Sequence, residues 1–216
     1  MSKSSRRTMY IVKTSCWKCK GAMNAAVISD YIEGNENFSY GPDGFSEIEM
    51  KIAEENDVVI IGRVGERAAE KNKPIGSNVE NFIRGANCTV ITVGEHFEPP
   101  KRFIFAYEYS PTCQKMMQRI AQSDLLKKLQ CHLLYVGDHP EMLAEPEKYL
   151  KNAGLDVIPV YRYGDVAQNI LEYQREHDIQ LIVLGAFSHS KIHQFFLGSI
   201  TTTIFRNANV PLLVAK

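Results

Sequence analysis

The segment QLIVLGAFSHSKIHQFFLGSITTTIFRNANVPLLVA (residues 180–215) decides the fold of this chain. Its two ends, QLIVLG (180–185) and VPLLVA (210–215), are apolar runs of the length and composition typical of central strands in a parallel sheet. The residues between them predict a loop and then a helix from Ser199 to about Arg206. A strand, a crossover helix and a second strand form a right-handed parallel unit.

The same alternation of strands and helices extends upstream to residue 102. The sequence predicts three earlier strands, at RFIFAYE (102–108), CHLLYV (131–136) and DVIPVYR (156–162). It predicts helices from Ser110 to about Gln130, from about Pro140 to Asn152, and after Asp165. The order βαβαβαβαβ predicts an α/β fold, with an open five-stranded parallel sheet over residues 101–216 and helices on both faces.

An internal repeat indicates that the first half of the chain is related to the second. GSNVENFIRGANCTVITV (76–93) aligns without a gap on GSITTTIFRNANVPLLVA (198–215), and each segment follows an apolar strand that ends in glycine, Gly62 or Gly185. We expect residues 1–97 to form a reduced copy and residues 101–216 a complete one. Residues 33–44 contain three glycines and a proline and are predicted as loop, which leaves the first copy without its second and third strands.

The glycine-containing loop before each repeated helix predicts an anion site. Glycine lets backbone N–H groups approach an anion, and a helix N-terminus offers unpaired donors and the positive end of the helix dipole. Ligands of open α/β sheets bind at the carboxyl edge, where this loop begins. The candidate donors in the second copy are Gly198, Ser199, Ile200 and Thr201.

These loops resemble those of the universal stress proteins that bind ATP, which carry G-x-x-G, nine residues and then G-S/T. The second copy has Gly185 and Ser188, nine residues, and then Gly198 and Ser199, so that serine replaces the second glycine. The first copy keeps all the glycines with one extra residue, and its candidate residues are Gly62, Gly65, Gly76, Ser77 and Asn78.

The resemblance implies further features of fold and function. It implies an adenine-nucleotide alpha-hydrolase-like sheet with strand order 3-2-1-4-5, and a protein that binds ATP or another phosphate ligand in a stress response. Glu108 aligns with the family's aspartate that faces the nucleotide, and Val136 with its backbone contact to adenine. No Ser-His-Asp arrangement or pair of acids at catalytic spacing is apparent, so binding rather than catalysis is expected. The alternative is a ligand-free structural or adaptor module.

A separate feature is the pair Cys16 and Cys19, which is spaced as C-x-x-C. Three interpretations stay open: half of a zinc site completed by Cys88, His96 or a second chain, a redox pair beside Lys18 and Lys20, or two inert thiols. The zinc interpretation would link the pair to the adaptor alternative.

The composition excludes some classes of function. The chain has 216 residues with 25 basic and 25 acidic side chains, and this zero net charge lacks the basic excess of a nucleic-acid-binding protein. No apolar run reaches the length of a membrane span, and the N-terminus lacks the apolar core of a signal peptide. We therefore expect a cytoplasmic protein, and a homodimer because two-fold dimers are the commonest assembly.

Overall fold

The computed structural model describes residues 9–12, 40–41, 58–62, 83, 88–93, 98–185 and 199–215. The chain divides into two compact units, Met1–Phe97 and Glu98–Lys216. Each unit contains a parallel sheet of its own strands. Among the described residues, no helix is long and apolar enough to cross a membrane.

The first unit has four described strands, β1 (Met9–Val12), β2 (Tyr40–Gly41), β3 (Val58–Gly62) and β4 (Thr89–Val93). They lie in the order β2-β1-β3-β4, and every pairing is parallel. The prediction that residues 33–44 are entirely loop is wrong, because Tyr40 and Gly41 pair with Ile11 and Val12. A strand of two residues, within a segment that has three glycines and a proline, is too short to show the alternation of apolar and polar residues that marks a strand.

The second unit contains five strands and five α-helices among its described residues. In chain order they are β5 (Arg102–Ala106), α1 (Pro111–Gln122), α2 (Asp124–Lys127), β6 (Gln130–Val136), α3 (Ala144–Asn152), β7 (Asp156–Arg162), α4 (Val166–Glu176), β8 (Leu181–Gly185), α5 (Ser199–Asn207) and β9 (Leu212–Ala215). A 3₁₀ turn, Pro140–Leu143, precedes α3.

The sheet of the second unit confirms the predicted α/β class. Its strands lie in the order β7-β6-β5-β8-β9, and all four pairings are parallel. Counted from β5 as the first strand, this is the order 3-2-1-4-5 within the unit. The first and fourth strands, β5 and β8, are therefore neighbours at the centre, where the chain switches from one side of the sheet to the other.

Capping residues set the ends of the helices. Ser110 accepts a hydrogen bond from the backbone of Cys113 at the start of α1, and Asp165 accepts one from Gln168 at the start of α4, as the sequence predicted. The prediction of one helix as far as Gln130 is wrong, because α1 ends at Gln122 and Ser123 adopts an extended conformation. Its hydroxyl then caps the short helix α2.

The two faces of the sheet have different cores. On one face, β5, β6 and β7 pack against α1 and α3 through a cluster that includes Phe103, Phe105, Leu133, Met116 and Leu150, all at most 2% exposed. On the other face, α4 packs against β5, β6 and α5. The alternation of side chains along each strand separates these two sets.

Candidate functional site

The register of the second unit brings the predicted strand-end residues to one edge of the sheet. Ala106 pairs with Leu134 on one side and Leu184 on the other. Glu108 lies two residues beyond Ala106, as Val136 lies beyond Leu134, and Gly185 directly follows Leu184. Glu108 and Val136 are therefore level at the carboxyl edge, with Gly185 one residue before that level, and open α/β sheets bind ligands at this edge.

Helix α5 directs its N-terminus toward the same edge. The helix has nine residues and is followed by β9. The Ile182 amide donates a hydrogen bond to the Pro211 carbonyl, so the chain enters β9 at the amino end of β8. A helix of this length rises about 13 Å and returns the chain across the sheet. Ser199 is exposed at its first turn, Ile200 is half-buried and Thr201 is fully buried.

The hydroxyl of Thr201 is the most informative polar group at this end of α5. Thr201 is 0% exposed, and its Oγ1 has no hydrogen-bond partner in the part of the chain that the structure describes. A buried hydroxyl without a partner costs about 1–3 kcal/mol. Its position in the first turn, beside the free N–H groups of a helix N-terminus, fits a group that bonds to a ligand oxygen.

Gly185 lies against the first turn of α1. A Cβ added to Gly185 would lie 3.0 Å from Cys113 Sγ and 3.5 Å from the Cys113 backbone nitrogen. Among the described glycines, only Gly154 and Gly164 have positive φ. The backbone conformation at position 185 is therefore open to residues other than glycine. Glycine is favoured at this position because helix and strand approach each other closely. Burial raises the pKa of the Cys113 thiol to about 11, so this cysteine is a neutral packing group.

Glu108 lies between β5 and α1. It is half-buried, and its backbone carbonyl accepts a hydrogen bond of 2.8 Å from the Ser110 amide. The tight turn at Ser110 sets the distance between the end of β5 and the start of α1. Its buried neighbour Tyr107 has a pKa raised to about 12, mainly by burial, and remains a neutral hydroxyl.

Sequence reasoning missed three tyrosines at the ends of β6 and β7, which we call the tyrosine cluster: Tyr135, Tyr161 and Tyr163. The rings of Tyr135 and Tyr161 are nearly parallel at 6.2 Å, and Tyr163 meets Tyr161 edge-on at 4.5 Å. Tyr163 is 66% exposed. The sequence signal was a tyrosine at the next-to-last position of two adjacent strands, with Tyr163 directly after β7, and the strand register was needed to bring them together.

The tyrosine cluster is held in place by hydrogen bonds to the backbone. Tyr161 donates its hydroxyl hydrogen to the Gly137 carbonyl at 2.7 Å, and Asn169 donates to the Tyr163 carbonyl at 2.8 Å. Desolvation raises the pKa of Tyr161 above its ordinary value, and a hydrogen bond with Tyr163 adds to this effect, so the hydroxyl remains a donor. The exposed ring of Tyr163 is therefore presented on a fixed backbone.

Of the other predicted site residues, the structure describes only Gly62. Gly62 ends β3 and pairs with Val93, so it lies at the carboxyl edge of the first unit's sheet. The remaining ones lie outside the described residues: Cys16, Cys19, Gly65, Gly76, Ser77, Asn78, Ser188 and Gly198. Among the residues that the structure does describe, no three histidine, cysteine or acidic side chains are grouped as a metal site would need.

Comparison with known proteins identifies relatives of this chain. Residues 143–216 match the model of the universal stress protein family. The chain is 32% identical over 166 residues to the universal stress protein Slr1230 of Synechocystis, an alignment covering 74% of this chain and 58% of that protein. It is 27% identical over 97 residues to the universal stress protein YxiE of Bacillus subtilis, covering 39% of this chain and 66% of that protein. The chain thus spans less than two thirds of the length of these relatives.

A solved structure shows a similar fold over nearly the whole chain. The crystal structure of a universal stress protein from Archaeoglobus fulgidus superposes with a TM-score of 0.69 at 19% identity, over 97% of this chain and 86% of that one. This likeness concerns the fold alone, and it agrees with the parallel α/β sheets described above. The family match over residues 143–216 and the sequence relatives agree: the C-terminal unit of this chain is similar to universal stress proteins.

Proposed function

We propose that the second unit binds a nucleotide or another phosphate ligand at the carboxyl edge of its sheet and acts by binding rather than catalysis. The observation that carries the proposal is the fully buried hydroxyl of Thr201 at the N-terminus of α5, which has no hydrogen-bond partner among the described residues. A phosphate oxygen at this position accepts from Thr201 and from the free backbone N–H groups of the first turn. It also lies at the positive end of the helix dipole.

We expect Thr201→Val to weaken binding of ATP with magnesium by about tenfold, the effect of losing one hydrogen bond to a charged group. Valine has nearly the same shape, and it removes an unpaired hydroxyl, so the melting temperature of the ligand-free protein is expected to stay unchanged or rise. Isothermal titration calorimetry measures the affinity, and calorimetric unfolding measures the stability.

Two further variants serve as controls for Thr201. Thr201→Ser keeps the hydroxyl and should bind ATP within about threefold of the wild type. Thr203→Val alters an exposed position of the same helix and should leave the affinity unchanged. Equal affinity in the wild type and Thr201→Val would contradict the role of Thr201. No ATP binding by the wild type would favour the alternative of a ligand-free adaptor module.

The tyrosine cluster supports one position for the planar part of a nucleotide. Phosphates at the N-terminus of α5 approach β8, and Tyr163 follows β7, three strands away across β5 and β6. Strands are spaced about 4.8 Å apart, so the separation is about 14 Å, within the reach of an extended nucleoside triphosphate. We infer that the base lies over β6 and β7, near Val136 and the exposed ring of Tyr163.

We expect Tyr163→Ala to weaken ATP binding by about tenfold, because stacking of a base on an aromatic ring contributes on the order of 1–3 kcal/mol. Tyr163→Phe should bind as the wild type does, and Tyr149→Ala, an exposed tyrosine on α3, is the matched control. Tripolyphosphate has no base, so its affinity should be the same in all four proteins. A loss of tripolyphosphate binding in Tyr163→Ala would show that the ring does not act through the base.

The first unit supports the proposal of a tandem protein with a reduced first copy. Its strand order β2-β1-β3-β4 corresponds, strand by strand, to β6-β5-β8-β9 in the second unit. A counterpart of β7 is absent from the described residues of the first unit. Gly62 ends β3 as Gly185 ends β8. Homodimer formation, a cytoplasmic location and a metal at Cys16 and Cys19 stay predictions from the sequence.

A further inference from the structure

A series of hydrogen-bonded polar side chains, buried at His132 and Tyr173, lies on the face of the sheet opposite the Phe105 core, and the proposed function does not use it. His132, in the middle of β6, is 4% exposed and contacts Tyr173 of α4, which is also 4% exposed. His132 Nδ1 lies 2.8 Å from the Tyr173 hydroxyl, and Nε2 lies 3.2 Å from Gln130 Oε1. Gln130 Nε2 in turn donates to Asp156 Oδ2 at 2.8 Å. We call Asp156, Gln130, His132 and Tyr173 the His132 chain.

The hydrogen-bond partners fix the protonation of His132. An ionised Asp156 only accepts, so it holds Gln130 with its NH₂ group toward Asp156 and its carbonyl oxygen toward His132. That carbonyl only accepts, so Nε2 of His132 carries the hydrogen. In a neutral imidazole Nδ1 is then the acceptor, and the Tyr173 hydroxyl donates to it.

Protonation of His132 disturbs the His132 chain at the hydrogen bond with Tyr173. Nδ1 becomes a donor, so Tyr173 Oη has to accept instead and turn its own hydrogen elsewhere. The described structure shows no other acceptor for the Tyr173 hydroxyl. A buried hydroxyl donor without a partner is unfavourable, and the cost falls on the contact between α4 and β6.

The charges around His132 also oppose protonation. Burial and the proximity of His177 and Arg102 lower the pKa of His132 below 6.5, and Asp156 opposes this shift only weakly. Arg162 lies over the Tyr173 ring at 5.5 Å and pairs with Glu176 at 2.8 Å. The titratable, charged and polar groups around His132 come from four elements. They are Tyr173 and Glu176 from α4 with His177 directly after it, Arg102 from β5, Gln130 from β6, and Asp156 and Arg162 from β7.

We propose that the His132 chain makes the docking of α4 on β6 sensitive to protons, so that acidification protonates His132, turns the Tyr173 hydroxyl from donor to acceptor, leaves its hydrogen without a partner and so releases α4 locally. A solvent proton adds to Nδ1, and no other covalent bond changes. Since α4 also packs against α5, which carries Thr201, the release reaches the proposed phosphate site. This last consequence rests on the proposed function, whereas the release of α4 does not.

The test is hydrogen exchange of the α4 amides (residues 166–176) in the whole protein between pH 7.5 and 5.0, expressed as protection factors. Folded-state protonation of His132 is disfavoured, so opened states gain protons below pH 6.5 and protection falls as pH falls. We expect a loss of about three- to tenfold in the wild type. In His132→Asn the amide oxygen still accepts from Tyr173 but does not titrate, so this loss should be absent.

Two further histidine variants keep the proposal testable if His132→Asn folds poorly. His177→Gln removes a neighbouring group that lowers the pKa of His132 and should reduce the acid-dependent loss of protection. His139→Gln alters an exposed histidine on the loop after β6 and should behave as the wild type does. An equal loss of protection in α4 in the wild type, His132→Asn and His177→Gln would overturn the proposal.

ATP titrations at pH 7.5 and 5.5 separate the two parts of the inference. A larger fall in affinity for the wild type than for His132→Asn supports coupling from α4 to α5, and equal falls overturn the coupling. If the wild type binds no ATP at either pH, the proposed function is wrong, while hydrogen exchange still decides whether His132 releases α4.

Discussion

Replacing Phe105 with alanine is expected to lower the free energy of unfolding of the second unit by about 3–5 kcal/mol, the usual cost of truncating a fully buried phenylalanine. Phe105 is 0% exposed in the middle of the central strand β5, where it pairs with Leu133 of β6 and Val183 of β8. Its ring also meets Tyr107 edge-on at 5.9 Å. A smaller side chain leaves a cavity on the face that α1 and α3 cover, because neighbouring strands and helices relax only partly.

Hydrogen exchange of β5, β6 and β8 is a suitable measurement for the Phe105 variant. The single tryptophan, Trp17, lies in the first unit, so tryptophan fluorescence would not report on the second. Tyr149→Ala, at a position 42% exposed on α3, is the control and should change stability by less than about 0.5 kcal/mol. Similar effects of the two substitutions would show that the Phe105 face is not the main core.

Most of the second unit's fold could be predicted from its sequence because two local signals agree there. Apolar runs such as LIVLG (181–185) mark strands buried on both faces, and Ser110 and Asp165 mark the helix starts with a side-chain acceptor. The order of the strands followed only from the resemblance to a family. Composition and periodicity predict the individual strands and helices, whereas the order of the strands in the sheet depends on the crossover connections between them.

The candidate site was only partly predictable, for a physical reason. The glycine and hydroxyl residues that we propose to bind phosphate are close in sequence, so Ser199 and Thr201 could be named from a motif. The tyrosine cluster and the pair of His132 with Tyr173 join residues that are 26 to 41 positions apart, and only the strand register and helix packing bring them together. Gly185 was predicted as a phosphate-loop glycine, and its contact with Cys113 adds a packing requirement that no motif contains.

Replacing Gly185 with valine is expected to destabilise the second unit by about 3 kcal/mol, at the upper end of the usual cost of overpacking. The first added carbon already lies 3.0 Å from Cys113 Sγ, and two more methyl groups would meet the backbone of α1, which the Ser110 cap holds in place. The alanine variant adds the first carbon alone and should cost about 1 kcal/mol. Urea unfolding followed by tyrosine near-ultraviolet circular dichroism measures both.

The contact with Cys113 can be tested by a double-mutant cycle. Cys113→Ala removes the sulfur that an alanine at position 185 would meet, so the double variant should be destabilised by clearly less than the sum of its single variants. Cys131→Ala, which truncates a different buried cysteine in β6, should give a simple sum with Gly185→Ala. Additivity in both cycles would mean that Gly185 is glycine for a reason other than α1, and the phosphate ligand would then be the remaining explanation. Rescue in the cycle with Cys113→Ala, and not in the cycle with Cys131→Ala, would establish that glycine at this position fits α1 to β8.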